Sequence, residues 1–180
     1  MLSSEGGHIG LSAIDELQWE YEQFSKKKFG LTNEIISAEW MTCGRAIPNL
    51  YEFFAQKEGI TLEKVPSAKE VFSRIDSDPI SRKAFNHFLR CLGTTLAHLA
   101  AAMLPDDGIF LCGTILTATI GHLKADVARG DDSIFLKAFT NSPCVGSYLK
   151  TVPLYFTPEY DLGMKGCWHF LQLLSEKSST

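Results

Sequence analysis

Residues 108–113 read Gly-Ile-Phe-Leu-Cys-Gly, a short apolar run between turn-forming residues. A run of this kind is typical of a strand that is covered on both faces. Residues 152–157, Val-Pro-Leu-Tyr-Phe-Thr, form a second such run, and Pro153 predicts that this strand starts there or lies at a sheet edge, because proline cannot donate to the ladder. Residues 132–139 have a short helical pattern. The order strand, helix, strand predicts a parallel βαβ unit.

Helical patterns precede this unit. Residues 13–29 have helical apolar spacing after Ser12-x-x-Asp15, which is similar to a capping box, and Gly30 is expected to end that helix. A second helix is expected over residues 47–54.

Two further helix starts carry clear capping signals. Ser67-x-x-Glu70 is a capping box that opens a third helix. Asp78-Pro79 predicts the start of a long buried helix reaching residue 103, because Asp accepts backbone hydrogen bonds at the N-cap and proline has no donor to lose at the next position. Residues 163–174 predict a closing helix with its apolar side chains along one side. The expected class is α/β, in one domain over residues 1–180.

Composition excludes several classes of protein. The 180 residues carry 17 Lys and Arg against 21 Asp and Glu, a net charge of −4, which argues against nucleic acid or an anionic membrane as partner. The longest apolar stretch, residues 96–104, is too short for a membrane span of about 20 residues. Five widely spaced cysteines predict reduced, mostly buried thiols. With no leader pattern at the start of the sequence, a cytoplasmic location is expected.

The tetrapeptide Glu5-Gly-Gly-His8 is the first candidate site. Two glycines let the backbone approach a ligand, and a carboxylate beside an imidazole suits sugar hydroxyls. Glu39, in Ser-Ala-Glu-Trp-Met-Thr-Cys-Gly over residues 37–44, is the second candidate. For the tetrapeptide the alternatives are an ordinary glycine turn or a disordered N-terminal stretch. For Glu39 the alternative is an N-cap or first-turn charge on the helix that follows.

Other polar residues carry weaker signals. Gly113-Thr114 follows the first strand, where open α/β sheets bind ligands, although it lacks a phosphate-loop pattern. Four histidines have no second metal ligand three or four residues away, so we expect satisfied core or surface side chains and no metal site. They are His87, His98, His122 and His169.

Taken together and in order, these segments resemble the C-terminal part of a bacterial-type glucokinase. That family belongs to the hexokinase group and has a two-lobed, actin-like and ribonuclease-H-like fold, so the resemblance implies a helix-rich piece of the large lobe. The segments that carry the resemblance are Glu5-Gly-Gly-His8 and residues 36–44, 49–51, 78–79, 84–100, 108–113, 135–139, 152–155 and 162–167.

The resemblance implies that Glu5, His8 and Glu39 hold the hydroxyls of a hexose. It also implies that Gly113 and Thr114 flank the adenosine of ATP. The family's reaction converts glucose and ATP, with Mg²⁺ on the phosphates, into glucose 6-phosphate and ADP.

Two departures from the family pattern place larger side chains near the expected sugar and nucleotide. The resemblance also assigns one further segment to the nucleotide side. Gly44-Arg45-Ala46 stands where the family has Gly-Pro-Gly, and Thr114 replaces the second glycine at the adenosine site. Residues 163–167 are expected to form a turn on the nucleotide side.

The family's N-terminal lobe has no counterpart in these 180 residues. That lobe supplies the phosphate hairpin and the Asp that takes the proton from the sugar 6-hydroxyl. We therefore assign no catalytic residue, and we expect this chain to be inactive without that lobe. Exposed strand edges predict a homo-oligomer. The alternative function is a non-catalytic, kinase-like module that binds a sugar or a protein partner and has a regulatory role.

Overall fold

The computed structural model describes residues 5–11, 13–157, 159 and 161–178. Two 3-10 turns, Gly6–His8 and Gly130–Asp132, accompany the helices and strands. In chain order the helices and strands are α1 (Glu16–Phe29), α2 (Glu39–Thr42), α3 (Ala46–Lys57), α4 (Ala68–Ser73), α5 (Pro79–Met103), β1 (Ile109–Leu111), α6 (Thr114–Val127), α7 (Ile134–Thr140), α8 (Gly146–Leu149), β2 (Leu154–Phe156) and α9 (Leu162–Ser178). The helix-rich α/β class is confirmed.

Helix α5 is the long buried helix that the sequence predicts. The Asp78 carboxylate accepts hydrogen bonds from the Ile80 and Ser81 N–H groups at 3.1 and 3.2 Å, and Pro79 occupies the first helical turn. Asp78 therefore satisfies two of the donors that a helix start leaves unpaired. The predicted capping box of α4 is also confirmed, with Ser67 and Glu70 exchanging hydrogen bonds.

Helix α1 begins later than predicted. Its N-cap is Asp15, whose side chain accepts from the Gln18 N–H at 2.9 Å, so residues 13 and 14 precede the helix. Ser12, the first member of the expected capping box, lies outside the described residues. Gly30 ends the helix as predicted, in a left-handed conformation at φ 68°.

The core forms where α5 packs between α3 and α7. Gly93 permits the close approach of α5 and α7, because a methyl group there would lie 2.5 Å from the Phe135 carbonyl oxygen and 2.9 Å from Ala138 Cβ. Large fully buried side chains fill the interior; they are Tyr21, Met41, Ile47, Leu50, Ile75, Phe85, Phe88, Leu89, Leu123, Phe135, Phe139 and Leu149. A glycine is therefore a packing requirement at this crossing.

The two strands are parallel, as predicted, with Ile109 opposite Leu154 and Leu111 opposite Phe156. Pro153 precedes β2, and its carbonyl oxygen accepts from the Ile109 N–H at 2.8 Å. The connection between the strands holds three helices, α6, α7 and α8, where the sequence predicted only one. Helix α6 was missed because β-branched residues and Gly121 weaken its helical signal.

The prediction that β1 is covered on both faces is wrong. Phe110 is 69% exposed, whereas Leu111, which points to the opposite face, is buried. The Phe110 ring instead stacks on that of Tyr155 on the neighbouring strand, with ring centroids 4.7 Å apart. The described sheet thus has one buried and one open face.

The cysteines differ from the prediction in burial but not in bonding. All five are free thiols; Cys91 is buried and Cys43 is partly buried. Cys112, Cys144 and Cys167 are exposed, so the expectation of mostly buried thiols is wrong. Burial raises the pKa of Cys91 to about 12. Within the described residues, no helix combines the length and apolar character needed to cross a bilayer.

Candidate functional site

The first candidate segment is a tight turn tied to a distant part of the chain. A 3-10 turn spans Gly6–His8. Just beyond it, Gly10 and Ser37 pair in an antiparallel bridge, and the Ala38 N–H donates to the Ile9 carbonyl oxygen at 2.9 Å. These main-chain hydrogen bonds hold the turn against the segment that leads into α2.

Glu39 is the first residue of α2, a short helix that the sequence did not predict. The neighbouring Ala38 and Met41 are fully buried and anchor this short helix in the core. The Glu39 side chain remains 33% exposed, so its carboxylate faces solvent at the edge of a buried segment. The position suits both a helix-start charge and a ligand contact.

The structure brings Glu5, His8 and Glu39 together. Nδ1 of His8 lies 3.5 Å from Oε2 of Glu39, and Nε2 lies 3.9 Å from Oε2 of Glu5. One imidazole thus stands between two carboxylates from segments more than thirty residues apart. Such a group can accept hydrogen bonds from several hydroxyls through its carboxylates and exchange one more through the imidazole.

Arg45 joins this site, which the residue pattern alone did not predict. Its Nη2 lies 2.7 Å from Oε1 of Glu39, and its guanidinium lies over the Trp40 ring at 5.6 Å. The Cys43 side chain and then the Glu39 carboxylate raise the pKa of Arg45 above its ordinary value. The available signal was the replacement of the family's proline by a cation close to a candidate carboxylate.

The second candidate segment lies where β1 passes into α6. Gly113 precedes the helix at φ 120°, a conformation that favours glycine, and a methyl group there would meet no atom within 4 Å. Thr114 is the first residue of α6. A methyl group on Gly44 would lie 3.6 Å from Ile115 Cδ1, so the segment after Glu39 borders the start of α6. Residues 163–167, expected as a turn, lie in the exposed first turns of α9 instead.

A large cavity lies elsewhere in the molecule. It has a volume of about 840 Å³ and is lined by residues of α7, α8 and β2 and by Arg90 and Ile14. Glu5, His8 and Glu39 are not among its lining residues. The cavity therefore does not identify the candidate sugar site, whose Glu5 and His8 side chains are 88 and 63% exposed.

His87 is the histidine outside the site whose surroundings differ most from the expectation. In the part of the chain that the structure describes, no three His, Cys, Asp or Glu side chains group as metal ligands. His87 is buried, but neither ring nitrogen has a hydrogen-bond partner, so the expectation of a satisfied core histidine is wrong there. His87 packs edge-on against Tyr21 and Phe54 instead.

Known proteins match this chain along nearly its whole length. The glucokinase of Campylobacter jejuni subsp. doylei is 30% identical over 155 residues, which are 86% of this chain and 43% of that relative. A Helicobacter pylori glucokinase is 28% identical, with 92% of this chain and 48% of the relative covered. The chain thus spans about half the length of these relatives.

Solved glucokinase structures share the fold. One from an Antarctic psychrotroph has 26% identity and a TM-score of 0.76, covering 93% of this chain and 50% of that structure. One from Balamuthia mandrillaris has 16% identity and a TM-score of 0.75, and the match covers 88% of this chain and 43% of that structure. At this identity the match supports the fold alone. The glucokinase family model matches residues 1–174, so this chain belongs to the glucokinase family.

Proposed function

We propose that this chain forms the sugar-binding part of a kinase that transfers a phosphoryl group from ATP to glucose. The observation that carries the proposal is the convergence of Glu5, His8 and Glu39, with His8 lying 3.5 Å from one carboxylate and 3.9 Å from the other. Membership of the glucokinase family supports the same reading. The solved Balamuthia mandrillaris glucokinase is a complex with glucose.

The chemistry of the three side chains suits a hexose. Glu39 and Glu5 are carboxylates that accept hydrogen bonds from hydroxyls, and a neutral His8 donates with one nitrogen and accepts with the other. Hydrogen bonds to charged acceptors are stronger than those between neutral groups, so the two carboxylates should contribute more to binding than the imidazole. Of the two carboxylates, Glu39 is the less exposed, so water competes less for its hydrogen bonds and it should contribute most. A sugar that bridges the two segments would contact all three residues.

The start of α6 suits the nucleotide. Open space at Gly113, whose φ is 120°, leaves room for a ligand to approach the main chain. Thr114 adds a side chain where the family pattern has a second glycine. When bound, ATP supplies the phosphoryl group and Mg²⁺ neutralises charge on its phosphate oxygens. We assign no catalytic base to this chain, so turnover is proposed to need the part of the fold that the relatives carry beyond it.

Titration calorimetry with glucose tests this proposal, first on the chain alone and then on the chain co-expressed with the unmatched part of the Campylobacter jejuni relative. We expect Glu39→Gln to weaken glucose binding by at least about tenfold, since a charged acceptor contributes roughly 1.5–3 kcal/mol. Glu63→Gln, at an exposed glutamate in the loop between α3 and α4, is the matched control and should bind as wild type does. The proposal would be overturned if wild type bound no glucose, either alone or after co-expression. It would also be overturned if Glu39→Gln bound glucose as tightly as wild type does.

A second candidate is a non-catalytic sugar-binding module. The replacement of family residues by Arg45, Ala46 and Thr114 favours it, because these substitutions fit relaxed demands at the ATP site. Phosphoryl transfer measured by ADP release from the co-expressed pair separates the two candidates. Glucose binding without ADP release would support the module, and ADP release that depends on glucose would support the kinase.

A further inference from the structure

A second cavity lies where α1, α3, α5 and the start of α7 meet. Its volume is about 470 Å³, within the range of about 300–1,000 Å³ that is usual for small-molecule sites. It shares no residue with the candidate sugar site, and only Arg90 and Ile134 also line the larger cavity. We call it the α5 cavity, because α5 supplies more of its lining than any other element. Its lining residues are Leu17, Phe54, Lys57, Glu58, Lys83, Asn86, His87, Arg90 and Ile134.

His87 gives the α5 cavity a polar wall without hydrogen bonds. The side chain is 3% exposed, and neither ring nitrogen has a hydrogen-bond partner within the part of the chain that the structure describes. Burial lowers the pKa of His87 to about 4, so at neutral pH the ring is uncharged and carries one N–H donor and one acceptor. Buried polar groups are nearly always hydrogen-bonded, and leaving one unsatisfied destabilises the fold. A ligand that supplied a partner to the ring would remove that cost.

Cations outnumber anions among the residues that line the α5 cavity. Lys57, Lys83 and Arg90 line it, against the single carboxylate of Glu58. Each cation forms an ion pair, and the partners are Glu20, Glu58 and Asp15, respectively. Ion pairs that are open to solvent are weak. The charge of the lining therefore favours an anionic ligand.

Arg90 is the cation best placed to hold that anion. Its side chain is 30% exposed, less than those of Lys57 and Lys83 at 41 and 46%, so water screens it least. The ion pair with Asp15 uses Nη2 of Arg90, and a guanidinium has further N–H donors in a planar fork that matches a carboxylate. His87 lies three residues before Arg90 on α5, so the two side chains share one face of the helix.

The apolar lining indicates what the rest of the ligand is. Leu17, Phe54 and Ile134 provide aliphatic and aromatic surface, which suits a flat aromatic ring. A bare anion would leave this surface uncovered, and an uncharged ring would leave the cations unused. We propose that the α5 cavity binds a small aromatic carboxylate, with its ring on the apolar lining and its carboxylate between Arg90 and the imidazole N–H of His87. Both ring nitrogens are closed to solvent, so the imidazole turns towards the cavity when the ligand binds.

Titration calorimetry with phenylacetate tests the α5 cavity. The comparison probes are phenethyl alcohol, which keeps the ring but lacks the charge, and acetate, which lacks the ring. We expect phenylacetate to bind at least about tenfold more tightly than either probe, because only phenylacetate uses both the cations and the apolar lining.

Three variants locate the ligand. Arg90→Gln should weaken phenylacetate binding by about tenfold, and Lys83→Gln, at a more exposed cation, by about threefold. Lys150→Gln is the matched control and should bind as wild type does, because Lys150 is an exposed lysine that lines the larger cavity and not the α5 cavity. Circular dichroism checks the fold of each variant. If Arg90→Gln does not fold, the comparison of Lys83→Gln with Lys150→Gln still decides.

Side-chain NMR spectra of the histidines give a readout that needs no variant of a cation. Phenylacetate should shift the ring-nitrogen signals of His87, assigned by their loss in His87→Gln, and leave those of His98, an exposed residue of the same helix, unchanged. The inference fails if phenylacetate does not bind or binds no more tightly than the comparison probes. It also fails if Lys150→Gln weakens binding as much as Lys83→Gln does, which would place the ligand in the larger cavity, or if the His87 signals do not move.

Discussion

Arg45 Nη2 lies 2.7 Å from Glu39 Oε1, on the carboxylate whose other oxygen faces His8. The guanidinium thus competes with any hydroxyl for one side of Glu39. Because the Arg45 side chain is 62% exposed, solvent screens its attraction to Glu39. A ligand can therefore displace it at small cost.

We expect Arg45→Ala to strengthen glucose binding by up to about fivefold, the equivalent of the lost competition. Titration calorimetry measures the change. Arg82→Ala is the matched control, because Arg82 forms the same kind of ion pair with Asp76 away from the site. Unchanged or weaker glucose binding in Arg45→Ala would show that the arginine does not compete with the sugar.

The close packing of α5 against α7 at Gly93 leads to a second prediction. A methyl group at Gly93 would overlap the Phe135 carbonyl oxygen at 2.5 Å and Ala138 Cβ at 2.9 Å, so two helices must separate to admit it. We expect Gly93→Ala to lower the free energy of unfolding by about 2 kcal/mol, as overpacking in cores does. Urea unfolding followed by circular dichroism measures it.

Gly121 supplies the control, since it lies inside α6 and a methyl group there meets nothing within 4 Å. Gly121→Ala should stabilise the protein by about 0.5–1 kcal/mol through helix propensity alone. If both alanine variants were stabilised, the close approach of α5 to α7 would not be a constraint.

Local signals predicted the elements that depend on local chemistry. The caps at Asp78 and Ser67 were predictable because each side chain satisfies main-chain donors within three residues. The approach of His8 to Glu39 was predictable only through the family resemblance, because it requires the bridge between Gly10 and Ser37, which brings two distant segments together. The exposure of Phe110 was also unpredictable, since a strand's own sequence does not show which layers cover it.

His87 makes the protein sensitive to acid. Burial, followed by the nearby Arg90 guanidinium, lowers the pKa of His87 to about 4, against an unfolded value near 6.5. Between these values the unfolded chain binds more protons than the folded one. The contribution of neutral His87 to the free energy of unfolding is therefore fully present above about pH 6.5. It is lost as the pH falls towards 4, and the loss is roughly 2 kcal/mol at pH 5.

Replacing the His87 imidazole should remove this pH dependence of the free energy of unfolding. We expect His87→Leu, which places an aliphatic side chain beside Tyr21 and Phe54, to lose much less stability between pH 7.5 and 5 than wild type in urea unfolding. His98→Leu, the same change at an exposed position of α5, should keep the wild-type dependence. Parallel loss of stability in wild type and His87→Leu would assign the acid sensitivity to other groups.

Asp126, near the end of α6, fixes the start of α7. It is buried, and its carboxylate accepts from the Ile134 and Phe135 N–H groups at 3.0 Å each and from the Ser133 hydroxyl at 2.6 Å. Truncating the Asp126 side chain leaves these buried donors without their acceptor. An unsatisfied buried group lowers the free energy of unfolding by roughly 1–3 kcal/mol. Since Phe135 is fully buried at the crossing with α5, the loss extends to the core.

We therefore expect Asp126→Ala to lower the free energy of unfolding by about 3 kcal/mol, measured by urea unfolding. Asp126→Asn keeps an acceptor oxygen and should lose less than the alanine variant. Asp132→Ala, which removes an exposed carboxylate 3.3 Å from Lys137 in the same connection, should change stability by less than about 0.5 kcal/mol. Equal effects of Asp126→Ala and Asp132→Ala would mean that α7 keeps its position without the buried carboxylate, because Ser133 alone caps it.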